Sequence, residues 1–156
     1  MPKVRRVEKG HLANLAIRSA TLADYASISI LLKQVNLPTQ GVKEYLDNFV
    51  VLKDGELLIG TGGLEIYGDK ALLRSLAVHP DYQNKGLGKW IYQHILENAK
   101  NQNITELYLL TETAERFFTT VGFEKISREL VDERVKTSEE FRSVCPTTAA
   151  CMRLKL

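Results

Sequence analysis

The chain has 156 residues, which suits one domain with one core. Its hydrophobic fraction of 44% and charged fraction of 26% are ordinary for a globular protein, and a net charge of +2 is too small to favour nucleic acid. No apolar run is long enough to cross a membrane, no signal peptide is apparent, and the two cysteines lack zinc-site spacing. We therefore expect a cytoplasmic protein with reduced thiols and no metal.

The first part of the chain predicts an arm, a strand and a helix. Residues 1–14 carry four basic side chains and little apolar content, which predicts a solvated arm ahead of a single domain over residues 15–156. Residues 15–18 predict a strand, and Thr21 then caps a helix. The apolar residues at helical spacing are Leu22, Tyr25, Ile28, Leu31, Leu32 and Val35. A short second helix is predicted over residues 41–48.

An antiparallel meander is predicted next. Residues 49–53 read as a strand, Asp54-Gly55 as a two-residue hairpin turn, and residues 56–67 as the returning strand. That strand contains three glycines, at positions 60, 62 and 63, which predict a bulge or a place where another group approaches the backbone. Gly68-Asp69 closes a second hairpin into the following strand.

Residues 72–90 form the stretch around which the chain is organised. A strand that ends at Pro80 leads into a Q-x-x-G-x-G turn and then a helix. The first N–H groups of a helix lack intrahelical partners, and glycines let the backbone approach a phosphate closely. Lys85 and Lys89 add positive charge. The pattern favours a pyrophosphate cradle, and the alternative is an ordinary turn that needs glycine only for its shape.

Helices and strands are predicted to alternate along the last part of the chain. The helix after the turn buries Leu87, Ile91, Ile95, Leu96 and Ala99, and residues 107–110 then predict a strand parallel to the one before the turn. Further elements are a helix over 114–121 ended by Gly122, a long strand region over 123–135, a helix over 137–143, and an alternating strand over 149–156.

Two motifs carry a family resemblance. The runs RSLAVHP (74–80) and QNKGLG (83–88) resemble the acetyl-CoA signature of the GNAT N-acetyltransferases, and AERFF (114–118) with VGF (121–123) resembles the second hallmark. The similarity extends from about residue 15 to the C-terminus. It implies an α+β fold, the GNAT acyl-CoA N-acyltransferase fold, with a mixed central sheet of about seven strands flanked by helices.

A narrower resemblance is to N-acetyltransferases encoded with arsenic-resistance genes. It is carried by GDKALLRSLAVHP, ELYLLTETAERFFTTVGF and the tail EFRSVCPTTAACM. Cys145 and Cys151 suggest trivalent arsenic, which prefers thiols, but free cysteines usually pack as small hydrophobic residues and we favour that interpretation.

The GNAT resemblance implies acetyl-CoA (coenzyme A) as cofactor and assigns residues to it. They are Leu76, Ala77, Val78, Gln83, Asn84, Lys85, Gly86, Leu87, Gly88, Lys89, Thr111, Phe117 and Phe118. Phe118 stands where a tyrosine commonly acts as general acid, and Thr111 where asparagine is common. Because a thiol has a pKa of about 8.5, the thiolate of coenzyme A is an adequate leaving group without a general acid. The enzyme interpretation is therefore kept. Tyr108, Cys145 or water are substitutes, although strand packing is preferred for Tyr108.

The candidate catalytic residue is Glu65, beside Gly62-Gly63 on the third strand, which takes the amine proton through a water; the alternative is a surface carboxylate. Arg74 and Ser75 are the candidate substrate-binding residues, and we expect them to project to opposite faces of the fourth strand. Arg74 suits a substrate carboxylate, and its alternative is an ion pair, including one with Glu65.

The sequence therefore predicts an acetyl-CoA-dependent N-acetyltransferase acting on the amine of a small amino-acid-like acceptor. The narrower resemblance implies arsenic- or phosphinate-type resistance. The alternatives are a metabolic amino-acid acetyltransferase, for instance for glutamate, and a non-catalytic acyl-CoA-binding or sensing module. No membrane or nucleic-acid partner is expected. A homodimer is common in such families, but no sequence feature demands one.

Overall fold

A computed structural model describes residues 14–144 and 148–156. Its strands are β1 Leu15–Ser19, β2 Phe49–Asp54, β3 Leu57–Tyr67, β4 Lys70–Val78, β5 Glu106–Thr111, β6 Glu124–Lys125 and β7 Ala150–Lys155. Its α-helices are α1 Tyr25–Gln34, α2 Leu87–Asn101 and α3 Glu115–Thr120. The predicted arm, apart from Asn14, lies outside the described residues. None of the described helices is long and apolar enough to cross a bilayer.

The strands form a seven-stranded mixed sheet in the order β1-β2-β3-β4-β5-β7-β6. Adjacent strands β1 and β2, β2 and β3, β5 and β7, and β6 and β7 pair antiparallel, whereas β4 and β5 pair parallel. The α+β class, the parallel pair and the neighbouring second, third and fourth strands are confirmed.

Contacts between residues divide the chain into two compact units. The first holds the residues up to Gly63 together with Ser75–Glu97, and the second holds Leu64–Arg74 with Asn98–Leu156. The continuous elements β3, β4 and α2 each contribute residues to both units. The single domain over residues 15–156 stays a prediction.

In the first unit, α1 buries one face. Ile28, Leu31 and Leu32 are buried in a cluster with Phe49 and residues of the neighbouring loop and strands. Leu22 is 66% exposed, so its predicted place on this face is wrong. The reason is local: Leu22 lies in a short 3₁₀ turn ahead of α1, where the helical spacing does not apply.

The glycines of β3 allow the close approach of α2. A Cβ at Gly60 would lie 2.6 Å from the Ile91 side chain, and one at Gly62 would lie 2.7 Å from that of Ile95. Both distances are shorter than real Cβ contacts, so a side chain at either position would require the facing isoleucine side chain to shift. This confirms the prediction that another group approaches the backbone of this strand.

One predicted turn and one predicted helix in the first unit need correction. Asp54 pairs with Leu57 in the β2–β3 register, so the hairpin loop is Gly55-Glu56 and not Asp54-Gly55. The short helix over residues 41–48 is wrong, because turns occupy most of it and only a 3₁₀ segment, Leu46–Asn48, is helical. Gly41 has a φ of 82°, which is incompatible with a regular α-helix there.

In the second unit, the long strand predicted over 123–135 is wrong. Only Glu124–Lys125 is strand, and the chain then turns twice. The Ser127 hydroxyl accepts the Glu129 N–H at 3.3 Å, and the Asp132 carboxylate accepts the Arg134 N–H at 2.9 Å. Such local side-chain acceptors compete with a strand ladder.

The helix predicted over 137–143 is replaced by a different winding. A 3₁₀ turn ends at Thr137, and a π-helix covers Glu140–Val144. Apolar side chains from this part of the unit form one buried cluster. Its buried members are Leu72, Tyr108, Val131, Val135 and Cys151.

The Asp24 carboxylate, at the start of the first helical segment, should make a pH-dependent contribution to stability. The Arg18 guanidinium donates to both carboxylate oxygens of Asp24, at 2.7 and 3.0 Å, and the Thr21 N–H donates at 2.8 Å. The Arg18 hydrogen bond in particular lowers the pKa of Asp24 from 3.8 to about 2. Because the folded pKa is depressed, this stabilisation is complete above pH 4 and is lost as the pH falls toward 2.

We expect Asp24→Asn to lower the free energy of unfolding at pH 7 and to converge with wild type near pH 2, measured by urea denaturation. The change keeps the size of the side chain and one oxygen that can accept from the Thr21 N–H, and it removes the charge that pairs with Arg18. The control Asp47→Asn removes an exposed carboxylate and should change stability by less than ~0.5 kcal/mol at every pH. A deficit in Asp24→Asn that is the same at pH 7 and pH 2 contradicts this account.

Candidate functional site

A loop with two left-handed residues joins β4 to α2. After the 3₁₀ turn Pro80–Tyr82, Asn84 has a φ of 65° and Gly86 a φ of 81°. A Cβ at Gly86 would meet nothing within 4 Å. Glycine adopts this backbone conformation without steric cost, and the space around it is open.

Three side-chain hydrogen bonds hold this loop. The Gln83 side-chain amide donates to the Val78 carbonyl at 2.9 Å, which ties the loop to the end of β4. The Tyr82 hydroxyl donates to Asp54 at 2.7 Å, which ties it to the β2–β3 hairpin and raises the pKa of Tyr82. The Asp81 N–H donates to the His79 ring at 3.1 Å.

The loop presents groups that suit a phosphate. Gln83, Asn84, Gly86 and Lys89 are exposed, and Lys85 is half-buried. The 15-residue α2 begins at Leu87, so its first N–H groups and its dipole face the loop. The residues present therefore fit the diphosphate of a nucleotide-type cofactor.

The course of β4 changes at Ser75. This residue has a φ of 62°, which is rare for a residue other than glycine and interrupts the two-residue alternation of a strand. Arg74 and Ser75 are both buried, so the expectation that they project to opposite faces loses its basis in a regular strand. The register of β4 with β5 runs from Lys70 and Glu106 to Leu72 and Tyr108, and β4 then continues to Val78.

The second unit contains a buried ionic cluster. The Arg74 guanidinium lies 2.6 Å from the Glu65 carboxylate through Nη1 and 3.2 Å from the Glu140 carboxylate through Nε. The side-chain exposures of Arg74, Glu65 and Glu140 are 0%, 2% and 6%. The ion pair with Glu65, foreseen as the alternative for Arg74, is therefore present.

The second carboxylate oxygen of Glu65 accepts a hydrogen bond from a tyrosine. The Tyr67 hydroxyl donates to Glu65 Oε1 at 2.5 Å, while Arg74 binds Oε2. Neither Tyr67 nor Glu140 was predicted from the sequence. The Glu-x-Tyr spacing on a strand was a usable signal, because residues i and i+2 share one face. Glu140 had no comparable signal, since it comes from a π-helix far along the chain.

The other predicted residues lie in ordinary local contacts. Thr111 accepts the Ala114 N–H at 2.9 Å ahead of α3. Phe118 is buried, and its ring lies 5.1 Å from that of Phe117 and 5.5 Å from that of Phe123. Phe118 thus contributes to packing where a general acid is common.

The proposed substitutes for that acid are constrained. Tyr108 is 2% exposed, and burial together with its hydrogen bond to Glu106 raises its pKa to about 12, which agrees with strand packing. Cys151, which was expected to pack as a small hydrophobic residue, is buried, and burial raises the pKa of its thiol. Cys145 lies outside the described residues. No group of three or more metal-type ligands occurs within the part that the structure describes.

Comparison with known proteins identifies the family. Residues 46–125, just over half of the chain, match the family model described as "Acetyltransferase (GNAT) domain". The chain belongs to the GNAT acetyltransferase family. The cradle and the strand that leads into it lie inside the matched residues.

Individual relatives of this GNAT chain are distant. An uncharacterized N-acetyltransferase of Chlorobaculum tepidum is 27% identical, with 89% of this chain and 92% of the relative covered. The amino-acid acetyltransferase of Aeromonas salmonicida is 26% identical over 72% of this chain. This chain spans only 27% of the length of that enzyme.

Solved structures share the fold. N-acetylglutamate synthase from Neisseria gonorrhoeae, complexed with coenzyme A and L-arginine, superposes with a TM-score of 0.76 at 23% identity, covering 91% of this chain and 33% of that one. Rv2747 from Mycobacterium tuberculosis, in a complex that contains CoA, gives 0.74 at 22% identity, covering 90% of this chain and 99% of that one.

The ionic cluster of this GNAT chain predicts a large stability effect. Arg74→Ala leaves two buried carboxylates without their cation, so we expect a loss of about 3–5 kcal/mol in the free energy of unfolding. The control Lys136→Ala removes a cation whose partner, Glu133, is 86% exposed, and should cost about 0.2–1 kcal/mol. Urea denaturation measures both, and equal losses in the two variants contradict the buried network.

Proposed function

We propose that this protein is an acetyl-CoA-dependent N-acetyltransferase that acts on the amine of a small amino-acid-like acceptor. The observation that carries the proposal is the cradle, residues 83–89, in which the left-handed Asn84 and Gly86 lead in open space to the first N–H groups of α2. Family membership supports the reaction class. The complexes of structural neighbours with coenzyme A support the donor.

The cradle holds the diphosphate of the donor. The N–H groups at the start of α2 and the side chains of Gln83, Asn84, Lys85 and Lys89 supply donors and positive charge. The backbone of Leu76, Ala77 and Val78 pairs with the pantetheine arm, and an N–H group of this stretch stabilises the oxyanion of the tetrahedral intermediate. Thr111, Phe117 and Phe118 contact the same arm.

Glu65 is the proton acceptor of the reaction. The amine must be neutral before it attacks the thioester carbon, and a carboxylate is a suitable base. Arg74 fixes the Glu65 carboxylate at 2.6 Å, so we assign Arg74 chiefly to orienting that base. Acceptor binding by Arg74 and Ser75 stays a prediction.

The acceptor is an amino acid or a close analogue. This is supported by relatives named amino-acid acetyltransferase and by a structural neighbour named N-acetylglutamate synthase. The arsenic- or phosphinate-type acceptor rests on the sequence motifs alone. A metabolic amino acid such as glutamate is the second candidate.

Donor binding depends on the backbone conformation at Gly86. Gly86→Ala places a side chain at a φ of 81°, which strains the backbone by about 1–2 kcal/mol, and we expect the Kd for coenzyme A to rise about tenfold or more. The control is Gly55→Ala, because Gly55 also has a positive φ, 59°, and open space, but lies in the β2–β3 turn. It should lose similar stability and keep its Kd in calorimetric titration. An unchanged Kd in Gly86→Ala overturns the cradle assignment.

The decisive experiment measures thiol release from acetyl-CoA over a panel of amines. We expect acceptor-dependent turnover with at least one amino acid or phosphinate or arsenical analogue, and product mass increased by one acetyl group. The best acceptor separates the metabolic from the resistance function. Binding of acetyl-CoA without turnover on any amine favours the non-catalytic sensing module and overturns the proposal.

A further inference from the structure

The proposed base is sealed from the solvent. The Glu65 side chain is 2% exposed, and each of its oxygens accepts a hydrogen bond from another side chain, Oε1 from Tyr67 and Oε2 from Arg74. A substrate amine therefore has no direct route to this carboxylate in the observed arrangement. A proton can reach Oε1 through the hydroxyl that already donates to it.

Tyr67 is suited to that transfer. Its O–H···O distance to Glu65 is 2.5 Å, at the short end for a hydroxyl and a carboxylate. It is half-buried, packed at the margin of the apolar cluster that contains Leu72 and Tyr108. Its hydroxyl therefore contacts the base, while the residue as a whole is more exposed than Glu65.

A second tyrosine–glutamate pair with the same two-residue spacing provides a comparison for Tyr67 and Glu65. Tyr108 donates to Glu106 at 2.7 Å across the same i, i+2 separation on β5. Tyr108 is 2% exposed, and Glu106 has a side-chain exposure of 18% and pairs with Lys70 at 3.4 Å. In that pair the tyrosine is sealed and the carboxylate is reachable, which is the reverse of Tyr67 and Glu65.

We propose that the Tyr67 hydroxyl is a catalytic residue that passes the acceptor proton to Glu65. The inference rests on the acetyl transfer proposed above. An N–H bond of the acceptor ammonium breaks, its proton moves to Tyr67 Oη, and the proton of Tyr67 moves to Glu65 Oε1. The freed lone pair attacks the thioester carbon.

The leaving thiolate gains a proton, and Glu65 returns to its starting protonation state. The C–S bond breaks, and the thiolate takes the second proton from the nitrogen of the tetrahedral intermediate. Glu65 then returns its proton to water through Tyr67. The sum is one ammonium and one thioester converted to one amide, one thiol and one proton. Glu140 holds Arg74 from the other side at 3.2 Å and so fixes the Glu65 end of the relay.

The test compares Tyr67→Phe with Tyr108→Phe, using the best acceptor of the amine panel. We expect kcat/KM to fall about 10²–10⁴-fold in Tyr67→Phe and less than about threefold in Tyr108→Phe. The Kd for coenzyme A, measured by calorimetry, should be unchanged in both variants. Wild-type kcat/KM in Tyr67→Phe overturns the relay.

Acceptor basicity distinguishes proton transfer from a structural effect. Hydroxylamine analogues of the acceptor are far less basic than amines and are neutral at the assay pH, so they need no base before attack. We expect Tyr67→Phe to approach wild-type rates with them, and to recover with ordinary amines as the pH is raised. Equal losses with both acceptor types overturn the proposal.

A second variant, Glu65→Gln, tests the relay if Tyr67→Phe does not fold. If thermal melting shows that Tyr67→Phe is unfolded, Glu65→Gln keeps a hydrogen-bond acceptor for Tyr67 and should show the same dependence on acceptor basicity. A Glu65→Gln enzyme without that dependence overturns the relay. If the wild-type protein acetylates no amine at all, the proposed function fails, and this inference fails with it.

Discussion

Arg74 carries a full positive charge on a side chain with no exposure to solvent, and its surroundings are arranged around that charge. Isolated, such a charge would be strongly unfavourable, so the carboxylates of Glu65 and Glu140 have to be present together with it. They come from β3 and from the π-helix Glu140–Val144, which the guanidinium joins to β4. A segment with little regular structure thus gains a fixed point on the sheet.

The strain at Ser75 follows directly after this fixed point. A left-handed residue inside a strand costs of order 1–3 kcal/mol and persists only where its surroundings hold it in place. Arg74, the residue before it, is held by two ion pairs, and the strand then continues to Val78 and the cradle. The strained residue therefore directly follows the buried charge along one strand.

Much of the fold could be predicted from the sequence because the signals were local. Alternation identified β7, helical spacing identified α2, and the Q-x-x-G-x-G turn located the cradle. The region after Phe123 could not be read in this way, since hydroxyl and carboxylate acceptors at Ser127 and Asp132 bend a chain whose composition resembles a strand. Only part of the ionic cluster could be predicted. Glu65 and Arg74 lie nine residues apart on successive strands, so their ion pair was a foreseeable alternative, whereas Glu140 reaches Arg74 only through tertiary folding.

The contact between β3 and α2 has an evolutionary consequence. The absent side chains of Gly60 and Gly62 are replaced by the δ-methyl groups of Ile91 and Ile95, so each glycine and its isoleucine occupy one shared volume. A larger residue on the strand requires the facing isoleucine either to move its δ-methyl group or to be replaced by a smaller residue. Among homologues, these two pairs of positions should covary in size rather than drift independently, and a designer who enlarges one member must trim the other.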